Sequence, residues 1–412
     1  MKPSESIQGV QSTTHPKVVV VVGFAEALAA PEVVWSLVDS GFTVVAFARK
    51  GRHAALRHSR HVTIHEIAAP ENDSVAALAE LAAFLESRRD ALHDHHVLLP
   101  LDDVAVWLCS QIPGSSGWVL AGPRGPCAEL ALNKQRQIEA ALAAGFNVPA
   151  TFIVSSAEEF SRWPRHFPVI IRPAEAVSVH ETRLRKGRNW ICSDEGELKQ
   201  AQSAWNGGAL LVQPYLEGTG EGVFGLATSN GIVAWSAHRR LRMMNPHGSG
   251  SSSCVSEAVP DEVKAPVAAL IQSSGWRGLF MVELLRSRDG RLWFVEFNGR
   301  AWGSMALARR QSLEYPAWTV KLAIDQTLPV RVPAPTEAVV SRNVGRELMH
   351  VLFVLRGPQS RAIRNWPSVW ATLTGVFRFH RRGSFYNWRK DDWRVFVTDS
   401  WYTIRDQILK RN

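Results

Sequence analysis

Two apolar segments joined by a short polar turn, within residues 277–304, constrain the fold of this chain more than any other stretch. Asp289 and Gly290 between them predict a two-residue hairpin turn of type I′, because both turn positions need a positive φ that Asp and Gly tolerate. In such a turn Arg288 faces Arg291, and this pairing sets the register of both strands. The sequence therefore predicts an antiparallel hairpin with a defined set of opposed residues.

The predicted register places two carboxylates, on Glu283 and Glu296, directly opposite each other. Carboxylates about 5 Å apart repel each other, so one takes up a proton or a cation holds both. Asn298 shares a face with Glu296, and two carboxylates beside an amide oxygen suit magnesium with bound phosphates. Arg300, just past the strand, is placed to contact phosphate oxygens that share this metal. The alternative is a solvated strand with unrelated acids, which the apolar residues 279–285 around Glu283 disfavour.

The hairpin resembles the metal-binding end of the ATP-grasp enzymes. Their usual pattern is Glu followed by Glu-x-Asn-Pro-Arg, and here Glu283 is followed by EFNGR at 296–300 and by WGS at 302–304. Gly299 replaces the proline, at a position that is not a metal ligand. The resemblance covers residues 17–330 and implies a two-lobed fold in which the metal ligands are Glu283, Glu296 and Asn298.

Two cations upstream match the family's phosphate-binding positions. Lys134 lies in a predicted helix at 133–145, and Arg172 ends a predicted strand at 167–173. Most ATP-grasp proteins have Lys at the second position, but the large subunit of carbamoyl phosphate synthetase has Arg, and this segment is similar to it. Local sequence alone favours a solvated helix charge for Lys134, so its phosphate role is implied by the resemblance.

The segment that joins the two lobes in the family aligns with residues Gln213, Pro214, Tyr215 and Leu216. The resemblance implies that the Pro214 carbonyl and the Leu216 N–H recognise adenine. It also implies that Glu221 binds the ribose.

Two basic segments depart from the family pattern or extend it. Residues 174–189, where many members have a glycine-rich phosphate loop, contain one glycine and four cations, so either side chains replace backbone amides or the loop is a mobile basic surface.

Alternation places His238, Arg240 and Arg242 on one strand face beside a Gly/Ser-rich loop, which suits an anionic ligand. The alternative is an exposed edge strand. We predict catalytic roles for Arg240 and Arg300.

The resemblance implies an ATP-dependent ligase that activates a carboxylate as an acyl phosphate, releases ADP and lets an amine attack. The implied cofactors are ATP and Mg²⁺ or Mn²⁺, with two ions, and the implied partners are a small-molecule carboxylate and an amine. Carbamoyl-phosphate-type or biotin-dependent carboxylase chemistry is the alternative among enzymes. A non-catalytic nucleotide-binding protein is the alternative outside them, which the intact metal pattern disfavours.

Alternating strand and helix signals near the N-terminus predict a parallel sheet with helices on its faces. Its first strand ends without a GxGxxG pattern, so no dinucleotide is expected there. The predicted organisation is a disordered segment at 1–16, a Rossmann-like domain at 17–125, an ATP-grasp domain at 126–335 with lobes at 126–210 and 211–335, and a C-terminal accessory domain at 336–412.

Composition adds two constraints. Residues 1–16 contain no signal-peptide pattern and the four cysteines show no metal or redox spacing, so the cytoplasm is the expected compartment. The net charge of +9 is concentrated in residues 336–412, which hold 14 Lys and Arg against 6 Asp and Glu. Aromatics and cations interleave at 377–390, a pattern that suits an anionic membrane or nucleic acid. We favour a packed accessory domain with buried tryptophans over a binding tail. Binding to nucleic acid is not expected, and contact with a membrane is not favoured. Formation of a homodimer is left open.

Overall fold

The computed structural model describes residues 17–90, 92–205, 207–248, 250–334 and 336–409. The segment 1–16, predicted to be disordered, lies outside these residues. Within them, no helix has both the length and the apolar character needed to cross a membrane.

The N-terminal unit is a five-stranded parallel sheet with helices packed on it. Its elements are β1 (Val18–Gly23), α1 (Ala30–Asp39), β2 (Thr43–Arg49), β3 (Thr63–Ile67), α2 (Ser74–Ser87), β4 (His95–Pro100), α3 (Asp103–Ser110) and β5 (Val119–Leu120). The strand order is β3-β2-β1-β4-β5. All six residues of β1 are buried, as expected for a central parallel strand covered on both faces.

The first lobe that follows is a small antiparallel sheet with flanking helices. Its elements are α4 (Pro126–Leu132), α5 (Lys134–Ala143), β6 (Phe152–Val154), α6 (Ala157–Arg162), β7 (Val169–Pro173), β8 (Ser178–His180), β9 (Arg183–Arg185), β10 (Trp190–Cys192), α7 (Glu195–Ser203) and β11 (Leu210–Pro214). The sheet order is β10-β7-β11-β6. The predicted boundary at residue 211 falls inside β11, whose pairing with β7 keeps it in the first lobe to its last residue.

The second lobe is built on long antiparallel strands. Its elements are β12 (Gly218–Thr228), β13 (Gly231–Met243), β14 (Ser251–Glu257), α8 (Asp261–Ser274), β15 (Gly278–Ser287), β16 (Leu292–Asn298), α9 (Met305–Arg309) and α10 (Tyr315–Ile324). One face of this sheet, including Val282, packs on α5 and α8. The other face, including Phe224 and Met281, packs against the N-terminal unit. α9 and α10 are separate helices, with Ser312 at φ +60° between them.

The C-terminal segment (residues 336–409) continues the sheet of the second lobe. It contains β17 (Val340–Arg342), α11 (Val344–Arg356), α12 (Val369–Phe377), β18 (Gly383–Phe385) and α13 (Trp393–Leu409). The order of the whole sheet is β16-β15-β12-β13-β14-β17-β18. The segment also contacts the N-terminal unit through two hydrogen bonds. The Asp392 carboxylate accepts from Trp35 Nε1 at 2.9 Å, and the Asn387 N–H donates to the Glu32 carboxylate at 3.0 Å.

The tryptophans of this segment do not provide its packing, contrary to the sequence-based expectation. Four of the five are exposed: Trp370, Trp388, Trp393 and Trp401. Buried residues of this segment include Val340, Met349 and Val395, which lie on a strand or on helices, and Tyr386 in the turn after β18. The segment is therefore packed, as we expected, but it leaves large aromatic side chains in solvent.

Candidate active site

The β15–β16 hairpin brings Glu283 opposite Glu296, although its turn differs from the predicted one. The Ser287 N–H donates to the Arg291 carbonyl at 3.0 Å, so the loop contains three residues. Of these only Gly290 has a positive φ, as in a type I turn closed by a glycine bulge. A second irregularity between Glu283 and the turn restores the predicted register.

That irregularity is a bulge at Val295, and it also positions a cation. Leu284 pairs with Phe294 while Glu283 pairs with Glu296, so Val295 is the extra residue. Its carbonyl accepts from Arg172 Nη1 at 3.3 Å and Nη2 at 3.2 Å. The bulge therefore links the hairpin to the end of strand β7 in the first lobe.

Three cations surround the opposed carboxylates. Lys134 Nζ lies 3.0 Å from a Glu296 carboxylate oxygen, and Arg172 Nη2 lies 3.7 Å from the other. Arg240 Nη2 lies 2.7 Å from a Glu283 oxygen. These five residues come from both lobes, and each was singled out in the sequence; the structure brings their side chains together between the lobes.

Arg300 contacts the N-terminal unit through Asp103, a residue for which no role was predicted. Arg300 Nε donates to Asp103 Oδ1 at 2.6 Å, and Lys186 Nζ lies 3.7 Å from Asp103 Oδ2. Burial would raise the pKa of Asp103, but the charge and hydrogen bond of Arg300, with Lys186, lower it to about 2. Asp103 is the first residue of α3, and Asp102 is the N-cap of that helix. Both lie just after the carboxyl end of β4, the edge of a parallel sheet at which ligands often bind.

We expect Asp103→Asn to lower the melting temperature by several degrees, because it leaves the partly buried Arg300 guanidinium without its carboxylate, at a cost on the order of 3 kcal/mol. An ionised carboxylate with a depressed pKa stabilises the fold above its unfolded pKa near 3.8 and loses that contribution as the pH falls toward 2. The difference between wild type and variant should therefore stay constant from pH 7 to about 4 and shrink below that. Calorimetry across this range would measure it, and a difference that stays constant down to pH 2 would contradict the assignment.

The basic segment 174–189 forms a hairpin, β8–β9, that packs on the N-terminal unit. Val177 and Leu184 are buried in the same apolar cluster as Phe84. The Ser74 N–H donates to the Thr182 carbonyl at 2.5 Å. Of the four cations in this segment, Arg183, Arg185 and Arg188 are exposed and form no ion pair with another described residue. Lys186 lies near Asp103. The hairpin thus supplies one charge to the site and is held in place by apolar packing.

The predicted nucleotide-binding residues fall into two groups. Gln213 and Pro214 end β11 at the lobe junction, and the Tyr215 N–H donates to the Pro168 carbonyl at 2.9 Å. Glu221 lies on the opposite sheet face from Glu283, because its neighbour on β12 is the residue that pairs with Glu283. Its carboxylate accepts from Arg286 Nε at 2.6 Å and Nη2 at 3.1 Å. Its ribose role stays a prediction, beside this structural role in the Arg286 pair.

The predicted basic stripe on β13 contains two charges at neutral pH. Burial lowers the pKa of His238 to about 3, and the neutral ring is hydrogen-bonded to Ser304 Oγ at 2.8 Å. Arg242 is held by Glu347 of α11, through Nε at 3.0 Å and Nη2 at 2.6 Å. Arg240 is therefore the member of the stripe that reaches the opposed carboxylates.

A cavity of about 340 Å³ adjoins Arg240 on the side covered by the C-terminal segment. Its wall is formed by the start of β12, the end of β13 and parts of α11 and α12; the residues are Gly218, Thr219, Gly220, Arg240, Leu241, Arg242, Met243, Pro246, His350, Pro367, Ala371 and Thr372. Arg240 Nε and Thr372 Oγ1 are buried without a hydrogen-bond partner among the described residues. Both atoms belong to residues of the cavity wall but have almost no exposed surface, so Arg240 is held by the surrounding packing and by its ion pair with Glu283.

The donor set fits a magnesium–phosphate complex better than a metal bound by protein alone. No group of three or more His, Cys, Asp or Glu side chains suited to a metal occurs in the described part of the chain. Glu283 and Glu296 supply hard oxygens, and Asn298 follows on the same face of β16. Magnesium commonly takes one or two carboxylates and completes its shell with substrate phosphates and water.

Comparison with known proteins supports the fold. No family model matches the sequence, and no curated protein is similar to it in sequence. An L-amino acid ligase from Bacillus licheniformis superposes with a TM-score of 0.61 at 14% identity, covering 81% of each chain. An ADP complex of N5-carboxyaminoimidazole ribonucleotide synthetase gives 0.61 at 14% identity, covering 88% of this chain and 96% of the other. The chain has the ATP-grasp fold.

A third structure with the ATP-grasp fold shows the range of chemistry among these neighbours. The biotin carboxylase domain dimer of 2-oxoglutarate carboxylase from Hydrogenobacter thermophilus, in complex with MgADP, ADP and bicarbonate, gives a TM-score of 0.58 at 16% identity. It covers 79% of this chain and 74% of the other. The predicted fold class is confirmed by these superpositions.

Proposed function

We propose that this protein is an ATP-dependent ligase that joins a carboxylate to an amine. The observation that carries the proposal is the opposed pair Glu283 and Glu296 at the junction of two lobes, surrounded by Lys134, Arg172 and Arg240. A scaffold without nucleotide chemistry gains little from two facing carboxylates and three cations in a partly buried cleft, because desolvation of each charge costs free energy. The ATP-grasp fold of the chain agrees with this function.

The charge balance of the cleft supports MgATP as the ligand. Three carboxylates pair with five cations in the contacts of Glu283, Glu296 and Asp103, which leaves two positive charges in excess. ATP with one magnesium ion carries about two negative charges. Binding of ATP with the first of the two ions would therefore neutralise the cleft, and the phosphates would take over cations that the carboxylates now hold.

Each residue then has a task in phosphoryl transfer, which depends on positioning and charge neutralisation. Lys134 and Arg172 hold phosphate oxygens, and the backbone at Pro214 and Leu216 orients adenine. Glu283, Glu296 and Asn298 would hold Mg²⁺ or Mn²⁺, with two ions, which neutralise charge on the phosphates when bound.

Arg300 and Arg240 stabilise charge on the group that is transferred. ATP phosphorylates the substrate carboxylate to an acyl phosphate with release of ADP, the amine attacks the acyl carbon, and phosphate leaves. Arg300, oriented by Asp103, contacts the transferring phosphoryl group, and Arg240 holds the acyl side. The geometry needs no covalent protein nucleophile.

The cavity beside Arg240 is the proposed site of the carboxylate substrate. Its volume of about 340 Å³ exceeds what bicarbonate needs, which favours an organic acid over carboxylase chemistry. Met243, Pro246 and Pro367 give it an apolar wall, so the acid carries an apolar side group.

The direct test is phosphate release with ATP, magnesium and a panel of small acids and amino acids, followed by mass spectrometry of the products. Release that requires both an acid and an amine, with a new carbon–nitrogen bond in the product, is the expected result. Release with bicarbonate alone would favour the carboxylase alternative. ATP binding without turnover across the panel would favour a non-catalytic nucleotide-binding protein.

We expect ATP with magnesium to raise the melting temperature, because it binds only the folded state. At about 100-fold excess over Kd the gain is roughly 2.7 kcal/mol. Arg172→Ala should weaken this shift, whereas Arg183→Ala, an exposed cation on the β8–β9 hairpin, should leave it unchanged. Differential scanning fluorimetry measures both, and equal shifts in the two variants would remove Arg172 from the nucleotide site.

A further inference from the structure

Helix α12 is apolar in sequence but packs through very little of its surface. Of its nine residues, VWATLTGVF, only Thr372 is buried. Trp370 is 77% exposed and Phe377 is 81% exposed, and their seven-residue spacing places them on the same helix face. Phe379, just beyond the helix, is 86% exposed. Large apolar side chains grouped in solvent mark an interaction surface.

The charge around this face has a single sign. Residues 348–390 contain eight Lys and Arg and no Asp or Glu. Arg378, Arg381 and Arg382 are exposed beside the aromatic residues, and Arg382 pairs with the exposed Glu337. We call Trp370, Phe377, Phe379, Arg378 and Arg381 the α12 face.

We propose that the α12 face binds an anionic membrane surface. A short apolar helix face bordered by Arg and aromatic side chains inserts at the headgroup level, and each cation near the surface adds attraction to anionic lipids. A second copy of this chain is a poorer occupant, because two basic faces would repel each other. Nucleic acid is also poorer, because Val369, Leu373 and Val376 on the same helix offer apolar bulk instead of polar contacts to a backbone.

The test is co-sedimentation of the full chain with vesicles of phosphatidylcholine alone or with added phosphatidylserine. Retention by the anionic vesicles only, reversed by high salt, is expected. Phe377→Ser/Phe379→Ser and Arg378→Gln/Arg381→Gln should each weaken retention by about tenfold or more. Val75→Ser/Leu142→Ser, which changes two exposed apolar residues elsewhere, should retain wild-type binding.

Circular dichroism and melting temperature should show that each variant is folded, and ATP-dependent shifts should persist in all of them. Binding to neutral vesicles alone, or unchanged retention of both α12-face variants, would overturn the proposal. Loss of RNA binding or of a dimer in the Phe377→Ser/Phe379→Ser variant, without vesicle binding in wild type, would assign the face to that partner instead. These results do not depend on whether the ligase function is correct.

Discussion

Glu296→Gln is expected to reduce ATP turnover by on the order of 10² to 10³-fold, the scale seen when one electrostatic contact to a transition state is removed. Glu296 contributes one of two opposed carboxylates, and it also holds Lys134 at 3.0 Å and Arg172 at 3.7 Å. A neutral amide can neither replace a hard anionic ligand nor keep both cations in place. Steady-state phosphate release with saturating ATP and magnesium measures the loss.

The same variant has an informative effect on stability without nucleotide. The hairpin alone suggests that removing one of two facing carboxylates relieves repulsion and stabilises the protein. The cations around Glu296 reverse this expectation, since Lys134 and Arg172 lose their counter-ion and the melting temperature should fall. Glu257→Gln, which breaks an exposed pair with Arg239, is the matched control and should leave both turnover and melting temperature near wild type. Normal turnover in Glu296→Gln would remove it from the metal site.

Deletion of residues 336–412 is expected to abolish activity and to make the remaining chain insoluble. The deletion removes β17 and β18, and with them the strand that pairs with β14. An unpaired β14 edge exposes backbone hydrogen-bonding groups and invites aggregation. It also removes Glu347, which holds Arg242, and the part of the cavity wall formed by α11 and α12. Soluble yield and phosphate release of the 1–335 fragment measure the effect.

A milder variant separates the two contributions of this segment. Asp392→Asn in the full chain keeps every strand but weakens the contact with Trp35 and with Ser59 of the N-terminal unit. It should lower the melting temperature while leaving β14 paired and the protein soluble. A soluble and fully active 1–335 fragment would show that the segment is an appendage.

Local pattern predicted the parts of the fold that depend on near neighbours. The parallel sheet near the N-terminus was predicted from alternating strand and helix signals, because such signals depend on residues close together in the chain. The pairing of Glu283 opposite Glu296 was predicted from the register of the hairpin. β3 was not predicted, because three of its five residues, Thr63, His65 and Glu66, are polar, and such a composition is typical of a loop.

The rest depended on contacts between distant residues. Asp103 and Arg300 are 197 positions apart, and nothing beside either one indicates the other. The sequence offered one signal for Asp103, which is its position just after a predicted strand, at the carboxyl end of the parallel sheet, where ligands often bind. The exposure of Trp370 could not be predicted either, because apolar composition predicts burial and only the packed structure shows which face has no neighbour.

The Val295 bulge has a consequence for changes in the length of the hairpin. The three-residue turn and the bulge each shift the β16 register by one position, and together they restore the alignment that places Glu296 in the cleft. Removing one turn residue alone would turn Glu296 to the opposite face of the sheet, toward α5 and α8. Loss of the turn residue and of Val295 together would keep the carboxylate in the cleft but remove the carbonyl that Arg172 contacts. Length variation in this hairpin should therefore occur as compensating pairs, and an alignment that places a single gap here would misalign Glu296.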